Sequence, residues 1–162
     1  MTALADPALL AASVTDPELP MLTLADLGVL RRVTTDGHEV VVTITPTYSG
    51  CPALATMRDD LVRTLREAGY AAKVEIELAP AWSSDDITAH GRAVLEQHGI
   101  SAPRRKPAGP IALTLAPRAR QLACPLCGAA NAALVSEFGS TACKALYRCT
   151  SCGEPFDHIK EI

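Results

Sequence analysis

No run of roughly 18 or more apolar residues occurs among the 162 residues, which excludes a membrane-spanning helix. The first twenty residues have no basic head, no apolar run and no small-residue cleavage site, so a secretory signal is not expected. The expectation is a cytoplasmic chain in a reducing compartment, where cysteines act as metal ligands or reactive thiols rather than disulfides. There is no glycine-rich nucleotide loop, no Glu-x-x-His di-iron pattern and no nucleophile–base pair, so no catalysis of its own is expected. Aromatic residues make up 4% of the chain, which leaves few platforms for stacking nucleic-acid bases. No internal repeat is visible. Asp and Glu are absent between Glu96 and Glu137.

What is present divides the chain in three. Residues 1–99 hold 14 acids against 7 Lys/Arg, a balance of −7, and residues 100–162 hold 4 against 8, a balance of +4. At 48% apolar the chain is too hydrophobic to be disordered and long enough for one ordinary domain plus a small appendage. Residues 1–100 read as the larger domain. Residues 101–121 carry Pro103, Pro107, Pro110 and Pro117 with Arg104, Arg105, Lys106, Arg118 and Arg120, and read as a stiff basic linker. Alternating apolar residues predict one short strand in it at Ile111–Leu115. Residues 122–162 hold five of the six cysteines.

The first domain is predicted to be α+β, in the order α-β-β-α-β-α, with a small mixed sheet and helices packed on one face. Asp6-Pro7 caps a short helix whose face is Leu9, Leu10 and Val14. Gly28–Thr34 and Glu39–Thr45 form a hairpin around Asp36-Gly37. A helix from Pro52 to Ala68 follows, with Leu54, Met57, Leu61 and Leu65 on its inner side and Gly69 ending it. Val74, Ile76 and Leu78 alternate with Lys73, Glu75 and Glu77 as a strand with one wet face. A last helix runs from a Ser83 or Ser84 cap to Gly99, with Trp82 as a core anchor at its start. His98 is expected on its apolar side, and His38 and His90 carry no assigned role.

The strongest motif is Cys124-Pro-Leu-Cys127-Gly followed by Cys149-Thr-Ser-Cys152-Gly. Two residues between thiolates let one tight turn offer both sulfurs to a single ion, and the glycine after each pair permits the bend. Two such knuckles close a tetrahedral four-sulfur site suited to Zn²⁺, with iron the chemically similar alternative. Val135–Phe138 and Ala145–Arg148 are the expected strands between them, and His158 is expected after the ribbon. So short a segment cannot build an adequate core, so the metal supplies folding energy. Cys143 lies outside both knuckles, as a free thiol or an exchangeable ligand.

Cys51 stands alone in Tyr48-Ser49-Gly50-Cys51-Pro52. With Pro52 at the first helical position, Cys51 is the expected N-cap, where the helix dipole favours a thiolate. A small buried hydrophobe is the plainer alternative. Asp16-Pro17-Glu18-Leu19-Pro20 makes a stiffened, exposed acidic loop, and Asp26 sits in Leu24-Ala25-Asp26-Leu27-Gly28. Both sets of acids read either as capping turns or as metal ligands near Cys51.

These motifs, with Gly50-Cys51-Pro52 and Pro80-Ala81-Trp82-Ser83, resemble the small α+β family of iron–sulfur cluster assembly factors over residues 5–99. That family includes SufT-type proteins and a component of the eukaryotic cytosolic assembly machinery. With the ribbon, Ser136–Cys149 and Glu154-Pro-Phe-Asp157, the whole chain resembles the PaaD family, the accessory D subunits encoded with the ring-1,2-phenylacetyl-CoA epoxidase of bacterial phenylacetate degradation. The resemblance implies a role in installing or repairing one of that enzyme's metal centres, with structural zinc and a transient iron or iron–sulfur cluster. It matches the family's reactive cysteine to Cys51 and its acidic signature to Asp16 and Glu18. Implied partners are the oxygenase and reductase subunits, other iron–sulfur assembly factors and a second copy of the chain, with no membrane. A structural subunit without metal delivery is the alternative. A nucleic-acid-binding regulator built on the ribbon and basic linker is disfavoured by the acidic overall balance.

Overall fold

The computed structural model describes residues 5–105, 109 and 121–162. The strand expected at Ile111–Leu115 and most of the basic linker lie outside them. The chain forms two compact units, Met1–Gly91 and Arg92–Ile162. The elements are α1 (Pro7–Ala12), β1 (Leu30–Asp36), β2 (Glu39–Ile44), α2 (Leu54–Glu67), β3 (Ala71–Ile76), a 3₁₀ turn (Ser84–Asp86), α3 (Ala89–Gln97), β4 (Ala132–Ser136), β5 (Lys144–Cys149) and β6 (Pro155–Ile159). The predicted α-β-β-α-β-α order is therefore the observed one.

The first sheet runs β1-β2-β3, antiparallel then parallel. Its hairpin loop is Gly37-His38, with Asp36 paired to Glu39 and Gly37 at φ 59°. Glycine takes that left-handed position without steric cost. β2 is the central strand and is covered on both sides: Val40, Val42 and Ile44 are at most 1% exposed, while Thr43 and Thr45 on the opposite pleat are also buried. α2 buries Met57, Leu61 and Leu65 and packs against α1 and β3. It ends where Gly69, at φ 94°, lets Tyr70 N–H return to the Leu65 carbonyl at 3.0 Å.

Several expectations need correcting. Leu9 of α1 is 71% exposed and Ala11 is its buried residue. β1 starts at Leu30, because the N–H groups of Val29 and Leu30 are drawn to the Leu24 carbonyl. In β3 only Val74 is buried, and Ile76 and Leu78 lie open. The last helix is interrupted. Ser83 caps a 3₁₀ turn through a capping box with Asp86, Ile87 is extended, and α3 restarts at Ala89. The cause is local: the Asp26 carbonyl takes the Thr88 N–H at 2.9 Å, and Thr88 Oγ1 then accepts the Gly91 N–H at 2.9 Å. His98 is exposed, with its ring on the Val94 carbonyl.

Gly28 is the tightest point of the first unit. It sits at φ +70°, and a Cβ there would lie 2.5 Å from the Asp86 carbonyl oxygen and 2.6 Å from its Cβ. Gly37 is also left-handed, but a Cβ there meets nothing within 4 Å. Gly37→Ala is expected to cost about 1 kcal/mol from conformation alone, and Gly28→Ala about 1–3 kcal/mol more from overlap. Urea unfolding of the two variants measures the gap; equal midpoints would show that the Gly28–Asp86 approach is soft.

Candidate metal centre and the Cys51 loop

The two cysteine knuckles have the same backbone design. Cys124 N–H donates to the Ala129 carbonyl at 2.9 Å, and Gly128 N–H returns to the Cys124 carbonyl at 2.8 Å. Cys149 N–H donates to the Glu154 carbonyl and Gly153 N–H returns to the Cys149 carbonyl, both at 2.9 Å. Gly128 and Gly153 sit at φ 77° and 81°, a bend that other residues enter only under strain. Nothing crowds either glycine, so conformation and not space selects it.

These turns bring four sulfurs together. Cys124 Sγ lies 3.8 Å from Cys152 Sγ, Cys127 Sγ lies 3.6 Å from Cys149 Sγ, and all four fall within 4.8 Å of one another. A tetrahedral ion with bonds of about 2.3 Å to sulfur needs sulfur–sulfur edges of about 3.8 Å. The donor set therefore fits a closed four-thiolate metal site of the kind zinc takes, formed by Cys124, Cys127, Cys149 and Cys152. Among the described residues it is the one group of three or more such ligands so placed.

The second unit is built around this site. β4-β5-β6 form an antiparallel sheet, and Leu122, Cys124, Ala145, Tyr147, Cys149 and Phe156 are its core. Tyr147 stacks on Phe156 at 6.1 Å and meets His158 edge-on at 5.7 Å. The strands differ from expectation: β4 lies earlier, at Ala132–Ser136, and β6 is an additional strand. His158 belongs to β6 rather than following the ribbon. It is fully buried, with Nδ1 3.0 Å from Ser101 Oγ and Nε2 3.5 Å from Glu161 Oε1. Ser101 pairs with β6 beside it. The alternation of Phe156 and His158 around Asp157 was the available signal.

Without an ion Cys149, Cys152 and Cys127 hold their protons unequally. The Cys152 backbone N–H favours a thiolate at Cys149, which outweighs burial and lowers its pKa to about 6. Cys152 receives the Glu154 N–H, yet burial and the neighbouring sulfurs push it up to about 12. Cys127 is also raised: the Ala129 N–H favours its thiolate, but the Cys149 sulfur and burial oppose it. A divalent ion replaces these competing protons and lets all four ionise.

Cys51 is not the helix N-cap. Ala53 occupies that position and α2 begins at Leu54. Residues 51–54 first close a tighter i→i+3 turn, which puts Cys51 ahead of the helix. Cys51 is half-buried in a turn, its N–H on the Tyr48 carbonyl and its own carbonyl on the Leu54 N–H, both at 3.2 Å. The acidic loop is only partly exposed. Asp16 is buried because its Oδ1 accepts the N–H groups of Glu18 at 2.8 Å and Leu19 at 2.9 Å, while Glu18 stays outside. Cys51, Asp16 and Glu18 all belong to the first unit and form no group like the four sulfurs. Cys143 is half-buried, its Sγ 3.1 Å from Thr141 Oγ1 and outside the four-sulfur group.

Asp26 takes the capping role. Burial raises its carboxyl, but hydrogen bonds from Thr23, His90 and Thr88 outweigh this and hold it below the usual range. Their distances are 2.8, 3.0 and 3.1 Å. Beside it the Trp82 Nε1–H donates to the Leu27 carbonyl at 2.8 Å, which bears out Trp82 as an anchor. Arg31 reaches Asp86 Oδ2 at 3.0 Å. The Thr88–Asp26 and Arg31–Asp86 pairs give no signal in the sequence, because their members lie 62 and 55 positions apart.

Comparisons with known proteins match two stretches of the chain to separate families. A family described as "PaaD zinc beta ribbon domain" matches residues 109–160, and one described as "Iron-sulfur cluster assembly protein" matches residues 10–78. A protein of Escherichia coli K12, provisionally named as the D subunit of 1,2-phenylacetyl-CoA epoxidase, is 45% identical over 158 residues, covering 94% of this chain and 90% of that one. A solved domain of unknown function (DUF59) from Bacillus anthracis is 26% identical, with a TM-score of 0.46 over 55% of this chain and 87% of that one. No helix among the described residues is long and apolar enough to cross a membrane.

Stripping metal with a strong chelator is expected to unfold the second unit and spare the first. Structural zinc sites in small domains supply about 10–16 kcal/mol of apparent binding energy, more than the six-residue core replaces. Amide spectra would show collapse of residues 122–162 with retained dispersion below residue 91. Unchanged dispersion in the ribbon would mean that the core alone holds it.

Proposed function

Because the chain belongs to the PaaD family, the D subunits of 1,2-phenylacetyl-CoA epoxidase, we propose that it is an accessory maturation factor for that multicomponent enzyme of phenylacetate degradation. It helps assemble or repair an iron–sulfur or di-iron centre of a partner subunit, and the metal or cluster is its cargo. Cys51 is the cargo ligand, with Asp16 and Glu18 of the acidic loop as oxygen donors. Zinc in the four-cysteine site is structural. No catalysis on the aromatic substrate is assigned to the chain.

One observation carries this reading. A four-sulfur site closes on itself and leaves no open position for exchange. The remaining thiol in an iron–sulfur assembly-like domain, half-buried Cys51, is therefore the place for a transient ligand. A turn ahead of a helix suits this task, because binding groups are commonly carried on connecting segments that a rigid scaffold positions.

A second reading is a structural subunit without metal delivery. Leu134, Val135 and Phe138 are 46%, 56% and 67% exposed on the ribbon, and a lasting subunit interface would cover them. Replacing Cys51 separates the two. In Cys51→Ala, zinc content and thermal stability should match the native chain, while iron in anaerobically purified protein falls to background. The co-expressed epoxidase should lose metal and activity several-fold. A client with full iron and full activity beside Cys51→Ala would sink the maturation role, and equimolar co-purification would then favour the structural one.

A further inference from the structure

The turn between β4 and β5 carries polar groups that neither the metal site nor the Cys51 reading uses. It is closed by the Gly139 N–H on the Lys144 carbonyl at 2.8 Å and the Lys144 N–H on the Thr141 carbonyl at 3.2 Å. Lys144, the first residue of β5, is only 5% exposed. Its Nζ points back into the turn and meets Ser140 Oγ at 3.4 Å. Among the described residues no carboxylate stands within ion-pair distance of that ammonium. Asp157 on β6, whose Oδ1 faces Gly139, and Glu137 beside the turn both lie farther away.

A lysine buried to this degree usually has a counter-charge, because desolvating an ammonium is expensive. Here the hydrogen-bond partner of its Nζ among the described residues is the Ser140 hydroxyl, with the Asp157 carboxylate beyond ion-pair distance. Ser140 is exposed and its hydroxyl faces Nζ, and Thr141 Oγ1 lies on the same turn. The N–H groups of Ser140, Thr141, Ala142 and Cys143 have no acceptor among the described residues. Successive free N–H groups beside a lysine and hydroxyls are the donor arrangement that suits an oxyanion. The donors outnumber the two oxygens of a carboxylate and suit a tetrahedral anion better.

We propose that the 139–144 turn is a binding site for a phosphate-class oxyanion, with Lys144 as its counter-charge and Ser140 as its hydroxyl donor. The anion is either free phosphate or the phosphate group of a larger organic ligand. The site lies outside the four-sulfur cluster and does not rest on the cargo role of Cys51.

The test is an amide-resolved NMR titration of the full-length, zinc-loaded chain at constant ionic strength. The probes are inorganic phosphate and, separately, adenosine 3′,5′-bisphosphate. Saturable shifts confined to residues 139–144 are expected, retained in Lys144→Arg and about tenfold weaker in Lys144→Met. Tighter binding of the bisphosphate at the same residues would identify an organic phosphate as the ligand; equal or preferential binding of phosphate would identify the free anion. Shifts that are absent, spread over every basic residue, or unchanged in Lys144→Met overturn the proposal. If Lys144→Met does not fold, Ser140→Ala decides, because the residue is exposed: native affinity in that variant overturns the proposal, and weakened affinity supports it.

Discussion

Four sulfurs held within 4.8 Å are the constraint on which the second unit depends. Cys124 and Cys149 are both ligands and core residues, so the metal site and the hydrophobic core are one object. Each knuckle uses two backbone hydrogen bonds and one left-handed glycine to aim its thiolates before any metal arrives. The sheet then packs Tyr147 against Phe156 and His158 behind the sulfurs. Remove the ion and the same sulfurs compete for protons in a partly dry space, which explains why their affinities for protons spread so widely.

The first unit solves a different problem with ordinary packing. β2 has both faces buried, so its register is fixed on either side. The loops that surround it are tied by Asp26, which joins residues 23–26 to Thr88 and His90, and by the Trp82 hydrogen bond to Leu27. The Asp16 loop is likewise closed on itself, with the Asp16 N–H on the Leu22 carbonyl at 2.9 Å.

How legible all this was in the sequence depended on range. Spacing and glycine position announced the four-cysteine site, because a knuckle is specified within five residues. The element order was legible too, since Asp6-Pro7, Asp36-Gly37 and Gly69 act locally. Cys51 misses the cap position because the chain makes an i→i+3 turn, from the Cys51 carbonyl to the Leu54 N–H, before α2 begins. The break before α3 escaped because its cause is the Asp26 carbonyl, more than sixty positions back. Ile76 and Leu78 alternate as a buried strand face should, yet they lie beyond what α2 covers. Periodicity reports which residues share a face, not whether anything sits on it.

The irregularity of β4 has a consequence for how this chain behaves in a crowded solution. Among the described residues β4 is an edge strand of Ala132-Ala133-Leu134-Val135-Ser136, with no charge and no proline to discourage another strand from joining it. The register shift between Leu134 and Ser136 leaves Val135 as an extra residue that kinks the edge. A straight strand from a neighbouring molecule cannot follow that kink. A bulge is one of the devices by which sheet edges discourage strand addition, and this one exists only while β4 stays paired to β5. Without that pairing the same five residues are an uncharged, apolar segment with no bulge, the kind of sequence that folding has to keep covered.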